Sequence, residues 1–425
     1  MLRLKILHRI VVILMNILSI PVQMAVIVIN MRRLIRLITQ NHYTCLCIIM
    51  GILCSCNTKK NGDFFIEGIT NISRIDCRDT NYIQYSRCIA LETTEESLIA
   101  KISCIQVYKG DFYIYDDKIN RVLRFDEDGS FVCRYGRRGG GPGEYVSISG
   151  FYVDPYREEV ALFDHMAGKV HRYTLDGQYI SSVPSPEGRL FTYLGNCKML
   201  NSEEVVCQVN PNRIYSYCCI LLNRFDYSIK RVFSAYVGKT RVAEDLNNTV
   251  FSICGDKVSC VKLFSDTISV FDKDTVCYEI ISRSLPEMTH KNILQKVKKE
   301  GFIGAWINTW KEKNFSPGLT AIYETSRWRY IDVPYQKDLH SAILTDKKNN
   351  RSIVISGITP TFFWDMRDIM GQGENTFIKV LNGASLEKIP TEKLMENSPE
   401  CWDMIAKTYQ PAESNPLLVI YKMRE

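Results

Sequence analysis

The chain has 425 residues, of which 46% are hydrophobic, so it can bury a large core and is longer than one average domain. Its 53 Lys and Arg residues outnumber its 47 Asp and Glu residues, which gives a formal net charge of +6. Residues 1–55 hold six of the basic residues and none of the acidic ones, so the remainder is formally neutral. This balance excludes the strongly basic surface typical of nucleic-acid binding, and we expect no nucleic-acid partner.

The basic residues of the N-terminus belong to a predicted export signal. A positive stretch at residues 31–36 and an apolar stretch at residues 45–53 precede the tetrapeptide Leu-Cys-Ser-Cys, which ends at Cys56. This arrangement resembles the signal peptide of bacterial lipoproteins. The resemblance implies a signal peptide at residues 31–55, a lipid on Cys56 that anchors the protein to a membrane, and a tether at residues 56–85. A plain transmembrane anchor is the alternative.

Residues 1–30 form an apolar extension ahead of that signal. Residues 10–29 are a largely apolar run of 20 residues, which is long enough to cross a bilayer. A second export signal directly upstream of a complete one would be redundant, so we expect Met31 to be the natural start. Recovery of residues 1–30 by N-terminal sequencing of the precursor would contradict this expectation.

Two consecutive segments of the chain nearly repeat each other at an offset of 48 residues. Each copy reads as a strand, a turn, a second strand, an Asp-Gly turn and a third strand. Asp-Gly between alternating strands is a strong hairpin signal because Gly adopts positive φ without steric cost. A hairpin repeat of this period is typical of propeller blades. The first copy comprises residues 110–116, 121–125 and 128–135, and the second comprises residues 160–164, 169–173 and 176–183.

The strand-and-turn pattern continues to the C-terminus and predicts an all-β, six-bladed β-propeller over residues 86–425. Because a closed ring avoids a free sheet edge, we expect the early strand 87–91 to complete the blade formed by the C-terminal strand. The expected strands are residues 190–194, 204–209, 216–225 and 229–235 for blade 3, residues 250–254, 257–264, 267–271 and 276–282 for blade 4, residues 319–323, 328–333, 341–345 and 352–355 for blade 5, and residues 361–364 and 415–421 at the beginning and end of the last blade.

Residues 287–314 break this pattern. Their apolar residues recur at three- and four-residue steps, which predicts a small helical insertion. We expect this helix to pack its aromatic side against the propeller, and a partner-binding helix is the alternative.

The cysteines do not indicate a zinc site. The chain contains 16 Cys but no Cys-x-x-Cys pair, so the usual ligand spacing is missing. Cys104, Cys133 and Cys207 alternate with apolar residues and are expected to be small buried side chains.

Several short segments carry a family resemblance. They are residues 91–99, 135–145, 265–271, 323–328 and 415–419, of which Tyr-Gly-Arg-Arg-Gly-Gly-Gly-Pro-Gly-Glu-Tyr at 135–145 is the most specific. Together they resemble the six-bladed β-propeller lipoproteins of Bacteroides and relatives, which are similar to NHL-repeat propellers. The resemblance implies an exported protein, lipid-anchored at the outer or inner membrane of the cell envelope, and supplies no catalytic residue.

The glycine-rich segment at residues 136–145 is the first candidate site. Its glycines could present backbone N–H groups to an anion, with Arg137 and Arg138 adding positive charge and Glu144 and Tyr145 beside them. No strand-to-helix junction follows, so neither a P-loop nor a dinucleotide fingerprint applies. The structural interpretation is a crossover between blades in which glycine permits unusual φ values.

Asp116 and Asp164 occupy equivalent positions in the repeat. Such repetition favours a structural role in accepting backbone N–H bonds at strand ends. With His165 they are also candidate ligand-binding residues, because lactonase-like six-bladed enzymes place carboxylates and Ca²⁺ in the central channel. We assign no cofactor or metal, Ca²⁺ being the one ion considered. No nucleophile elbow, zinc motif or Ser-His-Asp arrangement is present, so no catalytic residue is assigned.

These observations favour a protein that binds a glycan, a peptide or an envelope protein through loops held on a rigid ring. The alternative is a metal (Ca²⁺)-assisted hydrolase or lyase acting in the central channel, and a third possibility is an accessory subunit. An enzyme predicts clustered carboxylates in the channel, and a binding protein predicts an aromatic and basic loop face. An accessory subunit predicts an apolar patch, around Trp306 and Trp310.

Overall fold

The computed structural model of this protein describes residues 70–72, 81–209, 217–235, 251–261, 267–271, 276–280, 319–335, 339–358, 366–382 and 413–425. All of them lie in the second of the two units into which the chain divides, residues 63–425. The export signal with Cys56 and the helical insertion at residues 287–314 lie outside these ranges. Within the ranges, no helix has both the length and the apolar character needed to cross a bilayer.

The described residues are dominated by β-strands. In chain order these are β1 (Thr70–Ile72), β2 (Ile83–Ala90), β3 (Ile102–Tyr108), β4 (Asp111–Asp116), β5 (Arg121–Phe125), β6 (Phe131–Arg134), β7 (Arg137–Arg138), β8 (Glu144–Tyr145), β9 (Ile148–Asp154), β10 (Glu159–Asp164), β11 (Lys169–Thr174), β12 (Tyr179–Pro184), β13 (Leu194–Asn201), β14 (Glu204–Val209), β15 (Tyr217–Asn223), β16 (Ile229–Ala235), β17 (Phe251–Cys254), β18 (Lys257–Cys260), β19 (Thr267–Phe271), β20 (Val276–Ile280), β21 (Ala321–Glu324), β22 (Trp328–Tyr335), β23 (Leu339–Asp346), β24 (Arg351–Ile358), β25 (Ile369–Gln372), β26 (Thr376–Leu381) and β27 (Leu417–Met423).

These strands form six antiparallel blades, so the predicted six-bladed β-propeller is confirmed. Blades 1 to 5 are β3–β6, β9–β12, β13–β16, β17–β20 and β21–β24, and blade 6 is β25, β26, β27 and β2. The first strand of each blade lies innermost, where β25 contacts β3, β9 contacts β13, and β17 contacts β21. The first strands therefore line the central channel.

The ring is closed by the early strand, as expected. β2 pairs antiparallel with β27, with Cys88 opposite Val419. Asn415, which is fully buried, reinforces this junction. Its Oδ1 accepts a hydrogen bond from the Ile99 N–H at 2.6 Å, and its Nδ2 donates to the Ser97 carbonyl at 2.9 Å. Two of the family-like segments, residues 91–99 and 415–419, thus meet where the ring closes.

The core consists of apolar layers between neighbouring blades. Because side chains alternate across a strand, each blade contributes to the two layers that flank it. On β4, Phe112 and Ile114 pack with Leu418 of blade 6. Tyr113 and Tyr115, on the opposite face, pack in the layer shared with blade 2. This alternation explains why both faces of a strand read as apolar in the sequence.

Several elements differ from the sequence-based expectation, and β25 and β26 of blade 6 are two strands that were not assigned from the sequence. Residues 190–194 were expected to be a strand, but Leu190–Tyr193 is a 3₁₀ turn and the strand begins at Leu194. The turn forms because local hydrogen bonds let both Leu190 and Phe191 point into the core. The first strand of blade 2, Ile148–Asp154, was not assigned from the sequence, and Thr70–Ile72 pairs parallel with β24 although it lies in the predicted tether. The strand expected at residues 361–364 lies outside the described residues.

Candidate functional site

Asp116 and Asp164 are fully buried, and both oxygens of each carboxylate accept backbone N–H bonds. Asp164 receives N–H groups from Val146, at 2.8 Å, and from Met166, at 3.1 Å. Burial opposes ionisation of Asp164, but the hydrogen bond from His171 and the backbone N–H groups outweigh it and lower its pKa to about 2. The geometry supports the structural role that the repeat predicted for these two carboxylates.

The same turn occurs in other blades. An Asp or Asn at a strand end accepts the N–H two residues later, and the residue four positions later has positive φ. The sequence repeat at an offset of 48 residues revealed only two of these turns. The others begin with Asn in place of Asp, or follow a different strand of the blade, so they do not align with that repeat. The pairs are Asp116 with Asn120, Asp154 with Glu158, Asp164 with Gly168, Asn223 with Tyr227, and Asp346 with Asn350.

The glycine-rich segment is the crossover from blade 1 to blade 2, and a cavity of about 470 Å³ lies beside it. The chain's own Glu144 occupies the anion position expected there. Its Oε2 accepts the Gly141 N–H at 2.8 Å and its Oε1 accepts Nε of Arg137 at 2.7 Å. The Gly141 N–H, followed by Arg137, lowers the pKa of Glu144. Gly143 has φ +71°, and a Cβ there would lie 2.8 Å from Tyr179, so the crossover requires glycine at this position.

Of the other predicted site residues, Arg138 and Tyr145 are paired between β7 and β8. Arg138 is exposed. Tyr145 is buried, its hydroxyl donates to the Asn120 carbonyl at 2.9 Å, and burial raises its pKa. His165 is half-buried, its Nδ1 has no hydrogen-bond partner among the described residues, and burial lowers its pKa.

The central channel contains polar side chains that the sequence analysis did not identify. Gln106, on β3, acts as a clamp between three innermost strands. Its Nε2 donates to the carbonyls of Phe151 on β9, at 3.1 Å, and Cys197 on β13, at 2.8 Å. Its Oε1 accepts the Val153 N–H at 3.1 Å. The amide therefore pairs with strand edges that face the channel, as another strand would do.

Gln372, on β25, forms the matching clamp across the channel. Its Nε2 donates to the carbonyl of Glu324 at 2.9 Å, and its Oε1 accepts the N–H of the same residue at 3.0 Å. Its Oε1 also accepts the Ser252 hydroxyl at 2.8 Å. Gln372 thus connects β25 with β21 and β17, and the two amides together join the first strands of all six blades.

A cavity of about 340 Å³ lies beside these two amides. We call it the channel-mouth cavity. It lies at the hairpin end of the propeller, where the first strand of each blade turns into the second. Asp116 and Asp164 lie opposite the starts of β3 and β9, at the other end of those strands. The cavity is lined by Gln106, Val107, Tyr108, Val153, Pro155, Lys198, Met199, Gln372, Gly373 and Glu374.

Among the described residues of that lining, Lys198 is the one with a cationic side chain. It lies on β13 and is half-buried, and burial lowers its pKa, with Cys104 acting in the opposite direction. Burial raises the pKa of the Cys104 thiol to about 12, so this neighbour is protonated at neutral pH. Sequence reasoning missed Lys198 because it sits in an ordinary strand pattern between apolar residues.

No metal-ligating cluster is found among the described residues, in the sense of three or more His, Cys, Asp or Glu side chains grouped around one point. Eight of the ten cysteines in these ranges have described side chains, and none of these eight forms a disulfide. Cys104 and Cys207 are buried, as expected, and Cys133 is half-buried.

The fold and the cavity define a six-bladed β-propeller with a polar recess at one mouth of its channel. The chain belongs to the family described as Domain of unknown function (DUF4934), whose model matches residues 66–422. No curated protein matches it in sequence.

Two solved structures from Bacteroides are similar in fold. A protein of Bacteroides fragilis that is designated as exported has 16% identity and a TM-score of 0.64, over 85% of this chain and 100% of that one. A member of the duf4221 family from Bacteroides vulgatus has 13% identity and a TM-score of 0.48, over 80% of this chain and 97% of that one. At 16% identity the first similarity establishes the fold alone.

Proposed function

We propose that this chain is an exported binding protein of the cell envelope, anchored through a lipid on Cys56, and that the channel-mouth cavity holds its ligand. Two observations support the location. The tetrapeptide ending at Cys56 resembles a lipoprotein signal, and the Bacteroides fragilis protein of the same fold is designated as exported. The sequence also resembles the six-bladed β-propeller lipoproteins of Bacteroides and relatives, which are similar to NHL-repeat propellers.

The observation that carries the binding proposal is the convergence of four blades on one recess. β3, β9, β13 and β25 all contribute to a cavity whose volume lies at the lower end of the range for ligand pockets. The two glutamine clamps hold those strands together, so the recess is rigid before a ligand arrives. Preorganisation of this kind reduces the entropy lost on binding.

The surface at the same end of the propeller has the aromatic and basic character expected of a binding face. Tyr156 and Phe225 lie in turns at the hairpin end and are 55% and 52% exposed. Arg157 and Arg224 lie over the Phe225 ring at 5.3 and 5.8 Å. Aromatic and Arg side chains are enriched at recognition surfaces. This face fits a glycan or a peptide that enters the recess with one end.

A thermal-shift screen of the full-length chain tests this proposal. The panel contains Ca²⁺, EDTA, glycans and peptides. A ligand at 100 times its Kd adds about 2.7 kcal/mol, which raises the Tm by several degrees at roughly 2–4 °C per kcal/mol. We expect a glycan or peptide to give this shift without Ca²⁺. A shift that requires Ca²⁺ and is reversed by EDTA would contradict the proposal and favour metal-assisted chemistry.

A rim variant locates the site. Glu374 is exposed at the edge of the cavity, so Glu374→Trp blocks the mouth with little effect on folding. Glu95→Trp, at an exposed position outside the cavity lining, is the matched control. We expect Glu374→Trp to abolish the ligand-induced shift and Glu95→Trp to preserve it. An unchanged shift in Glu374→Trp would place the binding site elsewhere.

A further inference from the structure

Apart from the Glu374 carboxylate at the exposed rim, the polar side chains of the channel-mouth cavity leave more free hydrogen-bond donors than acceptors. Both Nε2 hydrogens of Gln106 are used by backbone carbonyls, which leaves it one acceptor position. The Oε1 of Gln372 accepts two hydrogen bonds and its Nε2 donates one, which leaves it one donor. Lys198 adds three donors and no acceptor.

Lys198 forms no hydrogen bond or ion pair with any residue that the structure describes. The Cys104 thiol, which is close enough to influence the pKa of Lys198, is neutral at neutral pH because burial raises its own pKa to about 12. A partly buried ammonium without a counter-charge is costly, whereas one paired with a hydrogen-bonded anion is compensated. The ammonium borders a cavity of about 340 Å³, so there is room for such an anion beside it.

The rest of the lining restricts what that anion can be attached to. Val107, Val153, Pro155 and Met199 provide apolar walls. Glu374 adds negative charge at the exposed rim, which disfavours a ligand with several negative charges. A single carboxylate on a small, partly apolar body matches one ammonium, one amide N–H and these walls.

We propose that the channel-mouth cavity binds a small organic acid, whose carboxylate pairs with Lys198 and whose body lies against the apolar walls. The acid is a sugar acid or an N-blocked amino acid, since both present one carboxylate on a body of this size. This inference rests on the proposed binding function and specifies the ligand chemistry of the same site.

Isothermal titration of the full-length chain at pH 7 tests the inference. The probes are D-glucuronate and N-acetyl-L-leucine, each compared with its neutral amide, D-glucuronamide and N-acetyl-L-leucinamide. We expect one of the acids to bind at least tenfold more tightly than its amide. Binding of D-glucuronate identifies the sugar acid, and binding of N-acetyl-L-leucine identifies the amino acid. Failure of both acids to bind, or equal binding of acid and amide, would overturn the inference.

Two lysine variants assign the charge to one side chain. Lys198→Met keeps the length of the side chain and removes its charge, and we expect it to weaken acid binding at least tenfold. Lys169→Met removes an exposed charge at the opposite end of the propeller, and we expect binding within twofold of the parent. An unchanged Tm of Lys198→Met would show that its loss of binding is not caused by misfolding, and we expect Lys198→Gln, which also removes the charge, to lose acid binding at an unchanged Tm.

The outcomes separate this inference from the proposed function. A neutral ligand that is blocked by Glu374→Trp and unaffected by Lys198→Met would leave the binding function standing and overturn the carboxylate assignment. A carboxylate that binds equally well to Glu374→Trp, Lys198→Met and the parent chain would overturn both.

Discussion

Replacing Gln106 by Leu is expected to destabilise the propeller strongly. The substitution keeps roughly the same volume but removes three hydrogen bonds to strand edges, those of the Phe151 and Cys197 carbonyls and the Val153 N–H. Each buried polar group left unsatisfied costs about 1–3 kcal/mol, so the sum is roughly 3 kcal/mol or more. Such a loss is a large part of a total stability of about 5–15 kcal/mol.

Urea unfolding at 25 °C measures this change as a shift of the midpoint. Gln178→Leu is the matched control, because Gln178 is exposed in a turn of blade 2, and we expect a change within about 0.5 kcal/mol. Gln372→Leu should resemble Gln106→Leu, since it also removes three hydrogen bonds. A loss below about 1 kcal/mol in Gln106→Leu would refute the idea that the amide acts as a clamp between strands.

Three further predictions follow from buried polar and sulfur contacts. The pKa of Asp164 is lowered from 3.8 to about 2, so its carboxylate stabilises the fold above pH 4 by about 2 kcal/mol, and this contribution is lost as the pH falls toward 2. In unfolding curves measured from pH 7 to 3, Asp164→Asn should remove this pH-dependent stability, whereas Asp128→Asn, at an exposed position, should preserve it. The Sγ atoms of Cys219 on blade 3 and Cys260 on blade 4 lie 3.4 Å apart, so oxidation by copper–phenanthroline in air should join them in a disulfide. Because this disulfide closes a loop of 41 residues, it should raise the free energy of unfolding by about 4 kcal/mol. Peptide mapping that finds no such cross-link would refute this prediction. Arg224→Met should lower the free energy of unfolding by about 3–5 kcal/mol, because it leaves the Asp154 carboxylate, which is 5% exposed, without its ion-pair partner at 2.5 Å. A loss under 1 kcal/mol in urea unfolding would contradict this prediction.

The blades could be predicted because their information is local. Alternating apolar residues and Asp-Gly turns specify hairpins, and the offset of 48 residues between Asp116 and Asp164 identifies the period. Closure of the ring by the early strand could also be predicted, because an exposed sheet edge has to be covered. The 3₁₀ turn at Leu190–Tyr193 could not be separated from a strand, since a short apolar run fits both.

The channel could not be predicted because its residues are distant in sequence. Gln106, Lys198 and Gln372 come from blades 1, 3 and 6 and converge only when the ring closes. In the glycine-rich crossover, the sequence pointed to backbone N–H groups that can bind an anion, but it did not show that Glu144 of the same segment takes that position. Glu144 lies three residues from Gly141, close enough to accept the N–H that was a candidate for binding an external anion.

Competitive acetylation of Lys198 tests the central claim most directly. Its lowered pKa leaves a larger neutral fraction than an exposed lysine, so a limiting amount of acetic anhydride at pH 7.5 should modify it in the free protein. A saturating concentration of the acid that binds, D-glucuronate or N-acetyl-L-leucine, should slow acetylation of Lys198 at least tenfold. The acetylation rate of the exposed Lys169 should stay unchanged, and mass spectrometry measures both rates. An unchanged rate at Lys198 with the acid bound would show that the ligand lies outside the channel-mouth cavity.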